Sequence, residues 1–199
     1  MPLLLSKKID PYSAYAAWHI TETEGQLTAL LQESSNHTNP NKKSEWIVAR
    51  ILVKYLCDLF EIPFHGIASL PSGKPVLIDH KAGISISHSF PVAACMINLR
   101  RSCGIDIEIP RQKLTRVAKR FLREDENYGK DLETLCKYWS AKEVLIKVHG
   151  DKRLALKEHL KVSFQNETDA EGMILKDGFE ANYQIRFEKL FNYIVAYSI

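Results

Sequence analysis

Two long stretches of helical periodicity, each followed by a series of short strand-like segments, do most to limit how this chain can fold. Asn39-Pro40 offers an N-cap and a first-turn proline. Trp46, Val48, Ile51, Leu52, Tyr55 and Leu59 then recur at helical spacing until Pro63 forbids continuation. Asp131 caps a second such stretch carrying Leu135, Tyr138, Trp139, Val144, Leu145 and Val148, with Gly150 where a left-handed C-terminal residue belongs. After the first helix, Leu70 to Pro75 reads as a turn, and Val76 to Ile78, Ile84 to Ile86 and Val92 to Leu99 as strands. A strand follows at Asp106, closed by Pro110, and then a helix from Leu114 to Leu122. After the second long helix come strands at Leu160 to Phe164, Gly172 to Lys176, Tyr183 to Phe187 and Tyr193 to Ile199, with Lys176-Asp177-Gly178 as a hairpin turn. Laying one long helix on the other puts Trp46 on Trp139, Leu52 on Leu145 and Lys54 on Lys147. Near the ends of the halves, Phe90-Pro91-Val92-Ala93-Ala94 resembles Phe191-Asn192-Tyr193-Ile194-Val195-Ala196. The expectation is a duplicated chain in which Arg50 stands opposite Glu143.

The 199 residues, 45% hydrophobic and 26% charged, suit one sizeable soluble domain or two small ones sharing a core. Apolar runs fall far short of the roughly 18 residues a membrane span needs. Met1-Pro2-Leu3-Leu4-Leu5 precedes Lys7 and Lys8, the reverse of a secretory signal, so a cytoplasmic protein is expected. Cys57, Cys95, Cys103 and Cys136 lack C-x-x-C spacing and lie in apolar patterns, as small buried hydrophobes do in a reducing compartment. A net charge of +3 favours an anionic ligand or an acidic partner and is too weak to argue for nucleic acid.

Chemistry concentrates in two segments. In Gly104-Ile105-Asp106-Ile107-Glu108, alternation puts the isoleucines on one face of a strand and both acids on the other. Acids roughly 7 Å apart repel by roughly 2 kcal/mol at an effective dielectric of about 20, a cost that a cation removes. In the second helix Trp139, Glu143 and Lys147 form one stripe at spacings of four. Glu143 can supply a third oxygen ligand, and Lys147 is expected to reach phosphate oxygens without competing for the metal. Each segment alone is more often an ordinary solvated face; their conjunction favours a cation and phosphate site. Ser87 and His88 point to opposite faces of a strand and cannot act together as nucleophile and base, so Ser87-His88-Ser89 reads as a hydrogen-bonding turn. Gly73-Lys74 is not a P-loop, because Ala68 holds the first glycine position and Pro75 replaces the magnesium-binding Ser or Thr. The basic run Arg111, Lys113, Arg116, Lys119, Arg120 and Arg123 is a solvated helix face or a dock for an acidic protein.

In order, Ser72-Gly73-Lys74-Pro75, Ile86-Ser87-His88-Ser89, Gly104 to Glu108, Lys119-Arg120-Phe121-Leu122-Arg123-Glu124-Asp125-Glu126 and Trp139 to Lys147 resemble the motif series of the Sfp-type 4′-phosphopantetheinyl transferases, over roughly Lys42 to Gly150. The resemblance implies an α+β pseudo-dimer in which two duplicated halves, each a small antiparallel sheet packed with a long helix, are related by a pseudo-two-fold axis. Residues 1–104 would contact the adenine and phosphates of coenzyme A, and residues 105–199 would hold the metal site and catalytic helix. It implies magnesium-dependent transfer of 4′-phosphopantetheine from coenzyme A to a serine of an apo acyl or peptidyl carrier protein, with release of adenosine 3′,5′-bisphosphate. Carried over by position, Asp106, Glu108 and Glu143 would hold magnesium, Lys147 would neutralise the diphosphate, and Glu143 or a metal-bound water would take the serine proton. Ser87, His88 and Ser89 would contact phosphates, Gly73, Lys74 and Pro75 the adenine end, and Trp139 would orient its helix by packing. Where many relatives carry an arginine for the 3′-phosphate this chain has Glu45, which leaves that role to Lys42, Lys43 or Arg50. Two fused halves make a monomer sufficient. A magnesium nuclease is the rival enzyme, although it wants a lysine two residues beyond a strand acid, where Pro110 stands here; a carrier-binding module with a degenerate site is the non-enzymatic rival.

Overall fold

The computed structural model describes residues 2–31, 33 and 35–199. They form two compact units, Met1–Cys103 and Gly104–Ile199.

The first unit runs β1 (Leu3–Asp10), β2 (Ser13–His19), α1 (Glu24–Leu31), α2 (Pro40–Leu59), β3 (Ile67–Ser69), β4 (Pro75–Leu77), β5 (Gly83–Ser89) and β6 (Val92–Asn98). Its strands form an antiparallel sheet in the order β1-β2-β6-β5-β4-β3. The start of α2 follows from local chemistry: the Asn39 side chain accepts from the Lys42 amide at 3.2 Å, and Pro40 opens the first turn. Ile47, Val48, Leu52, Val53 and Leu56 are then buried together with Ala14, Ala16, Ala93, Cys95 and Ile97 of β2 and β6. The small side chains of those two strands leave room for the helix, and each large aliphatic removed from water contributes roughly 2 kcal/mol.

The second unit runs β7 (Ile105–Glu108), α3 (Lys113–Phe121), α4 (Leu132–His149), β8 (Leu160–Phe164), β9 (Asp169–Lys176), β10 (Phe179–Leu190) and β11 (Tyr193–Ser198). Its sheet, in the order β7-β11-β10-β9-β8, is also antiparallel. Asp131 caps α4 by accepting from the Thr134 amide at 2.7 Å, and Gly150 ends it in the left-handed region with φ 83°. Leu135, Ala141, Val144, Leu145 and Val148 bury against the sheet beside Leu160, Ile174, Ile185 and Ala196. Gly104 lets β7 start this close to the helix, since a Cβ there would stand 2.5 Å from the Val144 carbonyl oxygen. Asp177 and Gly178, with φ 50° and 82°, make the β9–β10 hairpin turn.

The chain is therefore α+β, and each unit sets a small antiparallel sheet against a long helix, as expected. The two sheets follow the same order: β2, β6, β5, β4 and β3 of the first correspond to β7, β11, β10, β9 and β8 of the second, with β1 added outside. Sequence reading passed over β1, β2, α1 and the short β3, and it set β4 at Val76 to Ile78, one residue late. Among the described residues no helix is long and apolar enough to cross a membrane.

Candidate functional site

Strand β7 and helix α4 position the acids of the second unit. Asp106 pairs across the sheet with Ala196, and Glu108 with Ile194, residues whose side chains lie in the core that α4 covers. Asp106 and Glu108 thus face the helix while Ile105 and Ile107 are buried on the opposite side of the strand. Asp106 is only 6% exposed. Glu143 and Lys147, one turn apart on α4, are half-buried. Trp139, a turn earlier, meets the Phe121 ring edge-on at 5.2 Å between centroids, the packing role expected of it.

Electrostatics ties these groups together. Burial pushes the Glu143 carboxyl above the usual carboxylate range, Asp106 and Glu108 push it further, and Lys147 acts the other way. The Cys136 thiol is likewise pushed up by burial first and then by Glu108 and Asp106. Lys147 Nζ donates to Asp106 Oδ1 at 2.9 Å and to the Ile105 carbonyl at 2.8 Å, and Glu108 Oε1 accepts from the Ile109 amide at 2.9 Å. Sequence reading gave Lys147 phosphate oxygens to reach without competing for a metal; in the structure it is also the counter-charge of one of the acids, because β7 and α4 approach closely enough for a four-carbon side chain to span the gap. Among the described residues no three His, Cys, Asp or Glu side chains converge tightly enough to cage a metal as they stand. The donor chemistry nonetheless suits a hard divalent cation: three carboxylates, all offering oxygen, two of which raise the proton affinity of the third, Glu143.

The first unit places its candidates differently. Ser87, His88 and Ser89 lie inside strand β5 rather than at the turn that sequence reading gave them: Ser87 and Ser89 are buried and His88 is exposed, the alternation a strand imposes. His88 Nδ1 lies 3.3 Å from Glu45 Oε1, and Lys42 Nζ donates to Glu45 Oε2 at 2.8 Å. Glu45 itself is buried, so it draws His88 and Lys42 into one cluster. Lys42 and Glu45 are one turn apart on α2, and the packing of α2 beside β5 brings the distant His88 to them. Lys43 pairs with Glu24 at 3.1 Å. Arg50 lays its guanidinium over the Trp46 ring, 3.3 Å from the centroid, with Glu33 at 3.8 Å. Gly73, with φ 80°, turns the chain between β3 and β4, ahead of Pro75 at the start of β4, and the Lys74 ammonium hydrogen-bonds the Ser102 hydroxyl. Lys43, Arg50 and Lys74 thus rest on three different partners.

The second unit thus sets acids and a lysine on one strand and one helix of an antiparallel α+β fold, and comparison with known proteins finds its similarities in the same stretch. Residues 102–198 match the family model of the 4′-phosphopantetheinyl transferase superfamily. The 4′-phosphopantetheinyl transferase HetI of Nostoc sp. (strain PCC 7120 / SAG 25.82 / UTEX 2576) is 36% identical over a region covering 43% of this chain and 42% of HetI. The chain thus spans less than half the length of that curated relative. The similarity to the 4′-phosphopantetheinyl transferase superfamily thus lies in the second unit, which holds nearly all of the matched residues.

Proposed function

We propose that the chain is an Sfp-type, magnesium-dependent 4′-phosphopantetheinyl transferase. It moves the 4′-phosphopantetheine arm of coenzyme A onto a serine of an apo acyl or peptidyl carrier protein and releases adenosine 3′,5′-bisphosphate. The observation that carries this reading is the action of Asp106, Glu108 and Lys147 on Glu143, together with the Lys147–Asp106 bond, inside the stretch that matches the superfamily. Asp106, Glu108 and Glu143 would hold magnesium, which supplies charge neutralisation at the diphosphate of coenzyme A. Glu143 takes the proton of the carrier serine, a task suited to a carboxylate whose proton affinity is raised. The serine oxygen bonds to the phosphorus that bears the pantetheine arm, and the bond from that phosphorus to the bridging oxygen breaks. Lys147 neutralises the charge left on the departing bisphosphate. The remaining contribution is positioning.

In the first unit, Lys43, Arg50, Gly73, Lys74, Pro75, Ser87, His88 and Ser89 are proposed as coenzyme A contacts, on the strength of the motif resemblance. The exposed basic side chains of α3, Lys113, Arg116, Lys119 and Arg120, are the proposed dock for an acidic carrier helix. The protein is read as a cytoplasmic monomer, in keeping with four buried free cysteines. Mass spectrometry of apo carrier proteins incubated with the chain, coenzyme A and magnesium tests the reading: one phosphopantetheine per carrier is expected. No mass gain on any of several acyl and peptidyl carriers overturns it.

A further inference from the structure

Lys142 stands next to Glu143 in sequence yet turns away from the acid site into the core of the second unit, where its side chain is 0% exposed. Its ammonium uses all three of its protons: Nζ donates to Glu126 Oε2 at 2.6 Å, to the Phe121 carbonyl at 2.5 Å and to the Leu156 carbonyl at 3.0 Å. Glu126, 1% exposed, uses both of its oxygens: Oε2 also accepts from the Arg123 amide at 2.9 Å, and Oε1 from the Val162 amide at 2.8 Å. One ion pair thereby joins α4 to the last turn of α3, to the turn after it, to the loop before β8 and to β8 itself.

A buried pair of this kind is a poor source of net stability, because desolvation of two charges offsets most of their attraction. Its distinguishing property is geometric: a fully satisfied buried network accepts one arrangement of its members. Helix α3 depends on that geometry. It begins at Gln112 without a side-chain cap and buries Leu114, Ala118 and Phe121, while Lys113, Arg116, Lys119 and Arg120 lie exposed on its other side. Its last turn is tied through the Phe121 carbonyl to the residue preceding Glu143.

We infer that Lys142 and Glu126 are positioning residues which fix the basic face of α3 relative to Glu143, and so determine how tightly an acidic partner protein is held for transfer. The inference rests on the transferase reading above. In that reading the distance from docking face to general base must match the distance from acidic helix to serine on the carrier, and a shifted α3 loses partner affinity while leaving the acid site as it was.

The test uses the full-length double variant Lys142→Met/Glu126→Gln, which removes both charges and leaves neither alone in the core. We expect a folded protein whose KM for apo carrier rises about fivefold or more, with KM for coenzyme A and kcat within about twofold of wild type. Loss of folded protein alone would lower kcat and leave the carrier KM unmoved, so the split separates positioning from a general structural role. An unchanged carrier KM, or a fall confined to kcat, overturns the inference. Glu126→Gln alone retains the lysine and its carbonyl bonds; titrating it with apo carrier, without coenzyme A or magnesium, gives a readout independent of turnover, and binding as tight as wild type also overturns the inference. Absence of transfer by wild type in the same assay overturns the transferase reading instead, while the titration still reports on α3.

Discussion

Glu143 is under three influences that favour its neutral form, its own burial, Asp106 and Glu108, while Lys147 favours the charged one. Glu143→Gln removes the charge and keeps the shape, so it relieves repulsion and removes the proposed base together. Transfer should fall by about a hundredfold or more, as for loss of a general base, while the melting temperature stays level or rises. Turnover retained at saturating magnesium would take Glu143 out of the mechanism. The cysteines give a second residue-scale expectation. Burial pushes the Cys57 thiol up to about 11 and the Cys103 thiol to about 12, and it pushes Cys136 higher still with help from Glu108 and Asp106. Since the thiolate is the reactive form, a thiol reagent should label none of the four until denaturant is added; rapid labelling of native Cys136 would contradict the burial of α4. At this scale the sequence disclosed which residues share a face, because strand and helix periods are fixed by the backbone. It did not disclose the Lys147–Asp106 bond or the approach of His88 to Glu45, which depend on tertiary distances between elements far apart in the chain.

The elements themselves were legible where punctuation is local. Asn39-Pro40, Asp131, Gly150 and Asp177-Gly178 each act on the nearest backbone groups, and α2, α4 and the β9–β10 hairpin begin or end there. Strand β2 was illegible for the opposite reason. Ser13 to Trp18 are all buried, so its Ser-Ala-Tyr-Ala-Ala-Trp-His run carries no alternation, and three alanines mimic a helix. Strand β3 is three residues long and runs into the turn that follows it. The cap of α4 allows a quantitative expectation. Hydrogen bonds from the Thr134 side chain and amide hold the Asp131 carboxyl below the usual range. A depressed folded value means that the cap stabilises fully above the unfolded value of about 3.9, and that this contribution is lost as pH falls through the folded value. Asp131→Ala should therefore cost about 1 kcal/mol near neutral pH. The gap between mutant and wild type should close below about pH 4. Urea unfolding at both pH values checks it, and a pH-independent gap would show that the carboxylate is not the capping group.

At the scale of the molecule, two units share one sheet order and one helix placement, but the acid site is written into the second. Register makes the comparison residue by residue. Ala196 of β11 faces Asp106 as Cys95 of β6 faces Ala16, and Ile194 faces Glu108 as Ala93 faces Trp18. Where the second unit carries Asp106 and Glu108, the first carries two buried apolar side chains, and Arg50 takes the helix position of Glu143. The helix half of this correspondence was visible in the sequence through Trp46 and Trp139; the strand half waited on β2. Three positions have to change together to build a second site, since one carboxylate on α2 would find no oxygen partner on β2 and would lose the stacking of Arg50 on Trp46. Arg50→Glu introduced into Glu143→Gln should therefore restore no transfer. It should also lower stability by about 1 kcal/mol through the lost cation–π contact, with added repulsion from Glu33, whose carboxylate lies 3.8 Å from Arg50. Long incubations of carrier and coenzyme A followed by mass spectrometry, with thermal melts alongside, decide the matter: measurable holo-carrier from the double variant would mean that the first unit retains metal-binding capacity that Ala16 and Trp18 deny it.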